Sequence, residues 1–306
     1  MAWPVRMFES TSIYFVTVRC FQGRLLLRPS PRTNDVLGGV LARAARLYEV
    51  EVFAFAFASN HVHLLVRAPR GNLSKFMQFL LGNTARKIGW MAGWRGTFWE
   101  RRFAASPVLD DQALLERLQY ILAHGVKEGL VRRCRSWPGL SCLRMLLRDR
   151  KRLFPWYSWT RRWDARTRVE AGDRFNESWA DRESFGLTVL PGWSGFPRGR
   201  RARLILGMVA AIEAYWERVY DRVLGRMRVL AQHPQHRPAR PERSPGPRCH
   251  ATRRADRSRY LEQYHLYTER FLSASAKWRA GDLSVKFPVN AIRPFLWPLV
   301  PQALVA

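Results

Sequence analysis

The chain is predicted to be an α+β protein built on a split βαββαβ sheet with an added helix, and three observations carry that prediction. Four β-like runs recur in the first 110 residues. Two stretches with apolar residues at helical spacing separate them in the order β-α-β-β-α-β. A third helical stretch then follows a pair of aspartates suited to capping it.

The elements are read in order. Ser12 to Phe21 mixes β-branched and aromatic residues in the manner of a strand, and Pro29-Ser30-Pro31 ends the pattern. Val36, Val40, Leu41, Ala44 and Leu47 then mark a helix over Thr33 to Tyr48, with Thr33, Asn34 or Asp35 as its cap. Val50 to Ala58 and His61 to Arg67 are two strands joined through Ser59-Asn60, short enough for an antiparallel hairpin. Asn72 to Met91 reads as the second helix. A Trp-, Gly- and Arg-rich connection, Gly93 to Phe103, leads to a fourth strand over Ala104 to Leu109. Asp110-Asp111 then caps a helix running to about His124.

Beyond residue 150 the periodicity weakens. Arg200 to Ala231 reads as one long basic helix, Gln232 to Arg259 as a Pro- and Arg-rich stretch too poor in apolar residues to fold alone, and Tyr260 to Ala280 as a further helix before a proline-interrupted tail. The expected organisation is therefore a sheet domain over 1–150, a mostly helical basic accessory region over 151–231, a flexible linker over 232–259, and a helical and irregular C-terminal segment over 260–306.

Composition narrows the function. The 306 residues are 47% hydrophobic with 13 tryptophans, enough for a real core. The net charge of +28 is shared between the two halves, is almost all arginine, and points to a polyanionic partner, nucleic acid first. Phe98, Trp99 and Phe103 interleave with Arg101 and Arg102, a mixture suited to stacking unpaired bases while holding phosphate, and equally suited to a core. The four cysteines form no C-x-x-C pair and no disulfide framework, so a reducing cytoplasm is expected. No apolar run reaches the ~18–20 residues that span a bilayer, so no membrane partner is expected. His233, His236, Cys249 and His250 supply four nitrogen or sulfur donors, a zinc alternative set against the composition of a disordered linker.

The candidate chemistry begins at His61-Val62-His63. A strand's two-residue period sends both imidazoles to one face and Val62 to the other, so the two can share a metal ion. On the last predicted helix of the sheet domain, Tyr120 and His124 lie four residues apart on one face. Phosphodiester cleavage needs a nucleophile in line with phosphorus and a cation for the charge that develops on its oxygens. Tyrosine supplies the first and a histidine-bound metal the second, and a phosphotyrosine retains the bond energy for a later rejoining. On spacing alone Tyr120 serves equally as a core aromatic, and His124 as a partner of the helix C-terminus. Arg101, Arg102, Lys127, Arg132 and Arg133 flank the proposed site as phosphate contacts or as solvated surface charges.

The blocks SNHVHLLV, GTFWERRF and LLERLQYILAHGVKEGLV resemble successive blocks of the REP-associated tyrosine transposases, within the IS200-like single-tyrosine HUH superfamily, over about residues 9 to 147. The resemblance implies the ferredoxin-like split βαββαβ fold and a nucleophile at Tyr120. It implies a divalent ion, Mg²⁺ or Mn²⁺, on His61 and His63, single-stranded or hairpin DNA as substrate, and a 5′-phosphotyrosine with a free 3′-hydroxyl. The family's Asn-Pro reads His124-Gly125 here, and related insertion-sequence transposases carry a glutamine as third ligand at the fourth position after the tyrosine, where His124 is the substitute. That departure leaves open a relative that binds DNA hairpins without cutting. The split sheet also serves RNA-binding modules, although no Lys/Arg-Gly-Phe-type aromatic block lies on a strand. Homodimerisation is left open.

Overall fold

The computed structural model describes residues 5–165, 174–239 and 246–294. Its chain divides into two compact units, Ser10–Thr252 and the pairing of Met1–Glu9 with Arg253–Ala306.

The first unit is organised by a four-stranded antiparallel sheet of β1 (Ile13–Arg19), β2 (Glu51–Phe57), β3 (His61–Arg67) and β4 (Ala104–Val108) in the order β2-β3-β1-β4. With α1 (Pro31–Tyr48) between β1 and β2, and α2 (Leu73–Met91) between β3 and β4, this is the expected split arrangement. The central strands carry buried residues on both faces, because elements cover the sheet from both sides. The prolines that end the first strand pattern also start α1. Ser30 accepts from the Thr33 amide at 3.0 Å and Pro31 occupies the first turn, so the cap lies ahead of the expected Thr33, Asn34 or Asp35. Asp110 caps α3 (Asp111–Lys127) as expected, accepting from the Ala113 amide at 2.8 Å.

The register decides which side chains meet. Thr17 faces His63, Arg19 faces His61 and Phe15 faces Leu65 across β1 and β3, so Phe15, Thr17, Arg19, His61 and His63 share one face of the sheet. Helix α3 packs across β2, β3 and β4 on that face. Both sheet edges are covered: Ser141 bridges to Ala56 of β2, and His250 bridges in parallel to Val108 of β4.

The region beyond residue 150 is less helical than expected and is built onto the sheet domain. After α4 (Leu143–Arg148), strands β5 (Arg152–Tyr157) and β6 (Ala180–Phe185) form an antiparallel hairpin, with the short α5 (Trp159–Ala165) between them. β5 lies directly on α1 at Gly38-Gly39. A Cβ there would come within 2.1 Å of the Phe154 ring and 1.9 Å of the Pro155 carbonyl oxygen. Buried Glu183 of β6 accepts from Arg43 at 2.6 Å and Arg46 at 2.9 Å, both on α1. The long basic helix is two helices, α6 (Arg198–Val219) and α7 (Arg226–Ala231), because the chain turns extended at Tyr220 and Gly225 takes φ +91°. α6 buries Ile205, Val209 and Ile212 and packs on α3 and α4.

Within the stretch expected to be a linker, residues 240–245 lie outside the described residues. Gln235 and His236 use backbone carbonyls to bind Arg24 and the Leu25 amide, and His250 pairs with Pro107 and Leu109 beside β4. These residues gain partners from the sheet domain, so they order without a core of their own. In the second unit α8 spans Arg254–Arg279, starting six residues earlier than expected, and Tyr264 and Asn290 donate to the Val5 and Phe8 carbonyls. The tail beyond Arg293 and Pro294 lies outside the described residues. All four cysteines are buried, and Cys20, Cys134 and Cys142 are free thiols. Among the described residues no helix is long and apolar enough to cross a membrane.

Candidate metal and nucleophile site

Three histidines from two elements converge. His61 and His63 project from β3 toward α3 while Val62 is buried on the other face, and His124 reaches down from α3. Ring centroids are 4.7 Å apart for His61 and His63, 4.5 Å for His61 and His124, and 5.3 Å for His63 and His124. One ring nitrogen from each lies within 4.8 Å of the others. The Tyr120 ring stands 5.2 Å from that of His63.

Both ring nitrogens of His63 and both of His124 are buried without a hydrogen-bond partner. Such orphaned groups are rare because each costs about 1–3 kcal/mol. Burial, reinforced by mutual repulsion, holds His61 and His63 well below the usual imidazole range, and burial pulls His124 down to about 4. All three rings are therefore neutral at pH 7, with lone pairs available. His61 is oriented by its neighbour. Its Nδ1 lies 2.6 Å from Asn60 Oδ1, and the Asn60 amide nitrogen donates to the Gly23 carbonyl at 3.0 Å. That donation leaves the Asn60 oxygen as acceptor, so Nδ1 of His61 carries the proton and Nε2 is free to ligate. The donor set thus fits a divalent metal: neutral imidazoles, one oriented from outside and two without another partner.

Along α3, Arg117, Tyr120, His124 and Lys127 fall at intervals of three and four residues and make one stripe. Lys127 Nζ lies 4.8 Å from the Tyr120 ring centroid and 3.0 Å from Glu128, and the Arg117 guanidinium carbon lies 5.5 Å from the same ring. Burial disfavours the Lys127 ammonium, but its hydrogen bond to Glu128 and its attraction to Tyr120 and Glu128 outweigh that and raise its pKa. Gly125, where the resembled family carries proline, lets α3 continue to Lys127. A proline there would break the ladder and strike the preceding turn. The same glycine lets Trp137 approach, since a Cβ would meet its ring at 3.0 Å.

Of the expected site residues, the fold brings together His61, His63, Tyr120, His124 and Lys127. Arg132 and Arg133 turn to α6 and the segment after it: Arg132 donates to the Asp221 carbonyl at 3.1 Å, and Arg133 binds buried Glu213 at 2.9 Å. Arg101 and Arg102 stand exposed in the connection ahead of β4. The zinc alternative is not assembled among the described residues. His250 lies beside Phe15 and Cys249 is buried, while His236 bonds through its backbone to Leu25. Sequence reading missed Asn60, Phe15, Arg117 and His250. Arg117, one helical turn before Tyr120, was legible from spacing, whereas His250 arrives by a pairing across the chain that leaves no local signal.

Among curated proteins none matches the chain. Among solved structures, the chain is similar to a REP-associated tyrosine transposase bound to a REP hairpin, at 20% identity and a TM-score of 0.41, covering 60% of this chain and 98% of that one. It is also similar to a candidate transposase from Deinococcus radiodurans R1, at 21% identity and a TM-score of 0.29, covering 40% of this chain and 95% of that one. Residues 14–124, from the first sheet strand to the third histidine, match the family described as "Transposase IS200 like".

Proposed function

We propose that this protein cuts and rejoins single-stranded DNA, presented as a strand or hairpin, through a covalent 5′-phosphotyrosine at Tyr120, with His61, His63 and His124 holding Mg²⁺ or Mn²⁺. The observation that carries the reading is the placement of Tyr120 one turn before His124 on α3, its ring against His63. The net charge of +28 supports a nucleic-acid partner. A three-imidazole set favours Mn²⁺ over Mg²⁺, which prefers oxygen ligands.

In this reading the Tyr120 hydroxyl attacks phosphorus, forming the tyrosyl phosphate bond as the bond to the 3′-oxygen breaks and leaves as a free 3′-hydroxyl. A bound divalent ion would supply positive charge to the phosphate oxygens. Lys127 places a second positive charge 4.8 Å from the centre of the Tyr120 ring, next to where the phosphate charge develops. Attack by a 3′-hydroxyl on the phosphotyrosine then reverses the step, which makes strand transfer the outcome.

A second reading, a relative that binds hairpins without cutting, is favoured by His124-Gly125 standing where the resembled family has Asn-Pro. Purified protein mixed with labelled single-stranded hairpin oligonucleotides and Mn²⁺, then denatured, separates the two. The transposase reading predicts a protein–DNA band that is lost in Tyr120→Phe and in His61→Ala. Tight binding with no band on any hairpin selects the non-cutting reading.

A further inference from the structure

Arg117 sits where the proposed chemistry has no role for it so far. Its guanidinium carbon is 5.5 Å from the Tyr120 ring centroid and 5.7 Å from that of Phe15, and those two rings meet edge to face at 5.8 Å. His250, fixed on the β4 edge by its amide bond to the Pro107 carbonyl at 2.8 Å, meets the same Phe15 ring at 5.3 Å. Arg117, Phe15 and His250 therefore form a cluster adjoining Tyr120.

Among the described residues Arg117 has no counter-ion, unlike Lys127, Arg132 and Arg133. Arg133 has Glu213, Lys127 has Glu128, and Arg132 lies 3.8 Å from Glu217. Arg117 is half-buried, its Nε is shielded from water without a hydrogen-bond partner, and it makes no ion pair among the described residues. A guanidinium withdrawn from water without an anion is costly, so a site that retains one is built for an anion that arrives. Contact with aromatic rings occupies the guanidinium face and leaves its in-plane N–H groups free, and those match two oxygens of one phosphate.

We infer that Arg117 is a phosphate-binding residue of the Tyr120 site, taking a nucleic-acid phosphate next to the one that reaches the tyrosine, with Phe15 and His250 as the wall of that subsite. The inference rests on the DNA-processing reading above for its ligand, but its test does not require cutting.

Full-length Tyr120→Phe protein and the double variant Tyr120→Phe/Arg117→Gln are titrated with a fluorescent single-stranded 30-mer of randomised sequence over a range of NaCl concentrations. Loss of one phosphate contact lowers the slope of log affinity against log salt by about 0.7 for a single strand. It also weakens binding roughly tenfold at the lowest salt. Arg117→Lys in the same background recovers the slope while falling short of full affinity, because lysine keeps the charge and loses the fork. An unchanged slope in Arg117→Gln overturns the proposal, as does a lowered affinity with the slope preserved, which is the mark of a packing residue. Melting temperatures with and without Mn²⁺ establish that each variant retains the fold and the histidine site. If covalent attachment at Tyr120 is found while the slope is unchanged, Arg117 alone is refuted. If attachment fails while the slope falls, the cutting mechanism is refuted and the phosphate site stands.

Discussion

Replacing His124 with leucine should stabilise the metal-free protein and cost it the metal. Both imidazole nitrogens of His124 are buried with nothing to bond, beside two further histidines and 6.2 Å from the Trp137 ring. An unsatisfied buried polar group costs about 1–3 kcal/mol, and an apolar side chain of similar volume removes that cost. In a domain of this size each kcal/mol moves the melting temperature by about 2–4 °C, so metal-free His124→Leu should melt roughly 2–12 °C above wild type. Saturating Mn²⁺ should do the opposite. At a hundredfold excess over its dissociation constant a ligand stabilises the folded state by about 2.7 kcal/mol, a shift expected in wild type and largely absent in the variant. His124→Gln, which keeps a ligating atom, should retain much of the shift. Thermal melts of the three proteins with EDTA and with Mn²⁺ make the comparison. A His124→Leu protein that melts lower without metal and keeps the full Mn²⁺ shift would refute the reasoning and return His124 to a packing role.

Three further outcomes are expected. Because the folded pKa of His124 is depressed to about 4, metal-free stability is complete above pH ~6.5. It is lost as pH falls toward 4, where the unfolded chain binds a proton that the folded chain refuses; His124 alone contributes about 3 kcal/mol to that loss, and His124→Leu should show a correspondingly shallower fall in melts between pH 7.5 and 4.5. Gly39→Ala should lower the melting temperature by several degrees and speed hydrogen exchange across β5 and β6, since its Cβ would lie 1.9 Å from a backbone oxygen that cannot turn aside; unchanged exchange would mean that the hairpin is not anchored on α1. Asn60→Ala should weaken Mn²⁺ binding 10- to 100-fold in a calorimetric titration, because the His61 ring loses the partner that sets its tautomer; equal affinity would remove Asn60 from the site.

The sheet domain was legible because its elements obey local rules. β-branched and aromatic runs marked β1, β2 and β3, the Asp110 cap marked the start of α3, and the two-residue period of a strand put His61 and His63 on one face. Helical spacing likewise put Tyr120 and His124 on one side of α3. What spacing could not supply was that α3 would cross the sheet on the histidine face, which depends on how the whole unit packs. The hairpin of β5 and β6 was missed because its partner is the paired glycines of α1, more than a hundred residues earlier, and Pro155 within β5 argues against a strand. The break between α6 and α7 did leave a mark in Gly225, set within an otherwise continuous helical pattern. His250 and the early start of α8 fell in a stretch whose composition reads as linker, and His250 is ordered there by backbone pairing to β4 and not by apolar burial of its own stretch.

The central claim is that Tyr120 is the nucleophile, and it is tested most directly by locating the covalent bond. Protein reacted with a hairpin oligonucleotide in Mn²⁺ is digested with nuclease and trypsin and analysed by tandem mass spectrometry. Cleavage after Arg117 and Lys127 releases Leu118 to Lys127, whose one tyrosine is Tyr120. The account predicts a nucleotide phosphate on that peptide, carried by the tyrosine. The same adduct on any other residue, or its persistence in Tyr120→Phe, would contradict it.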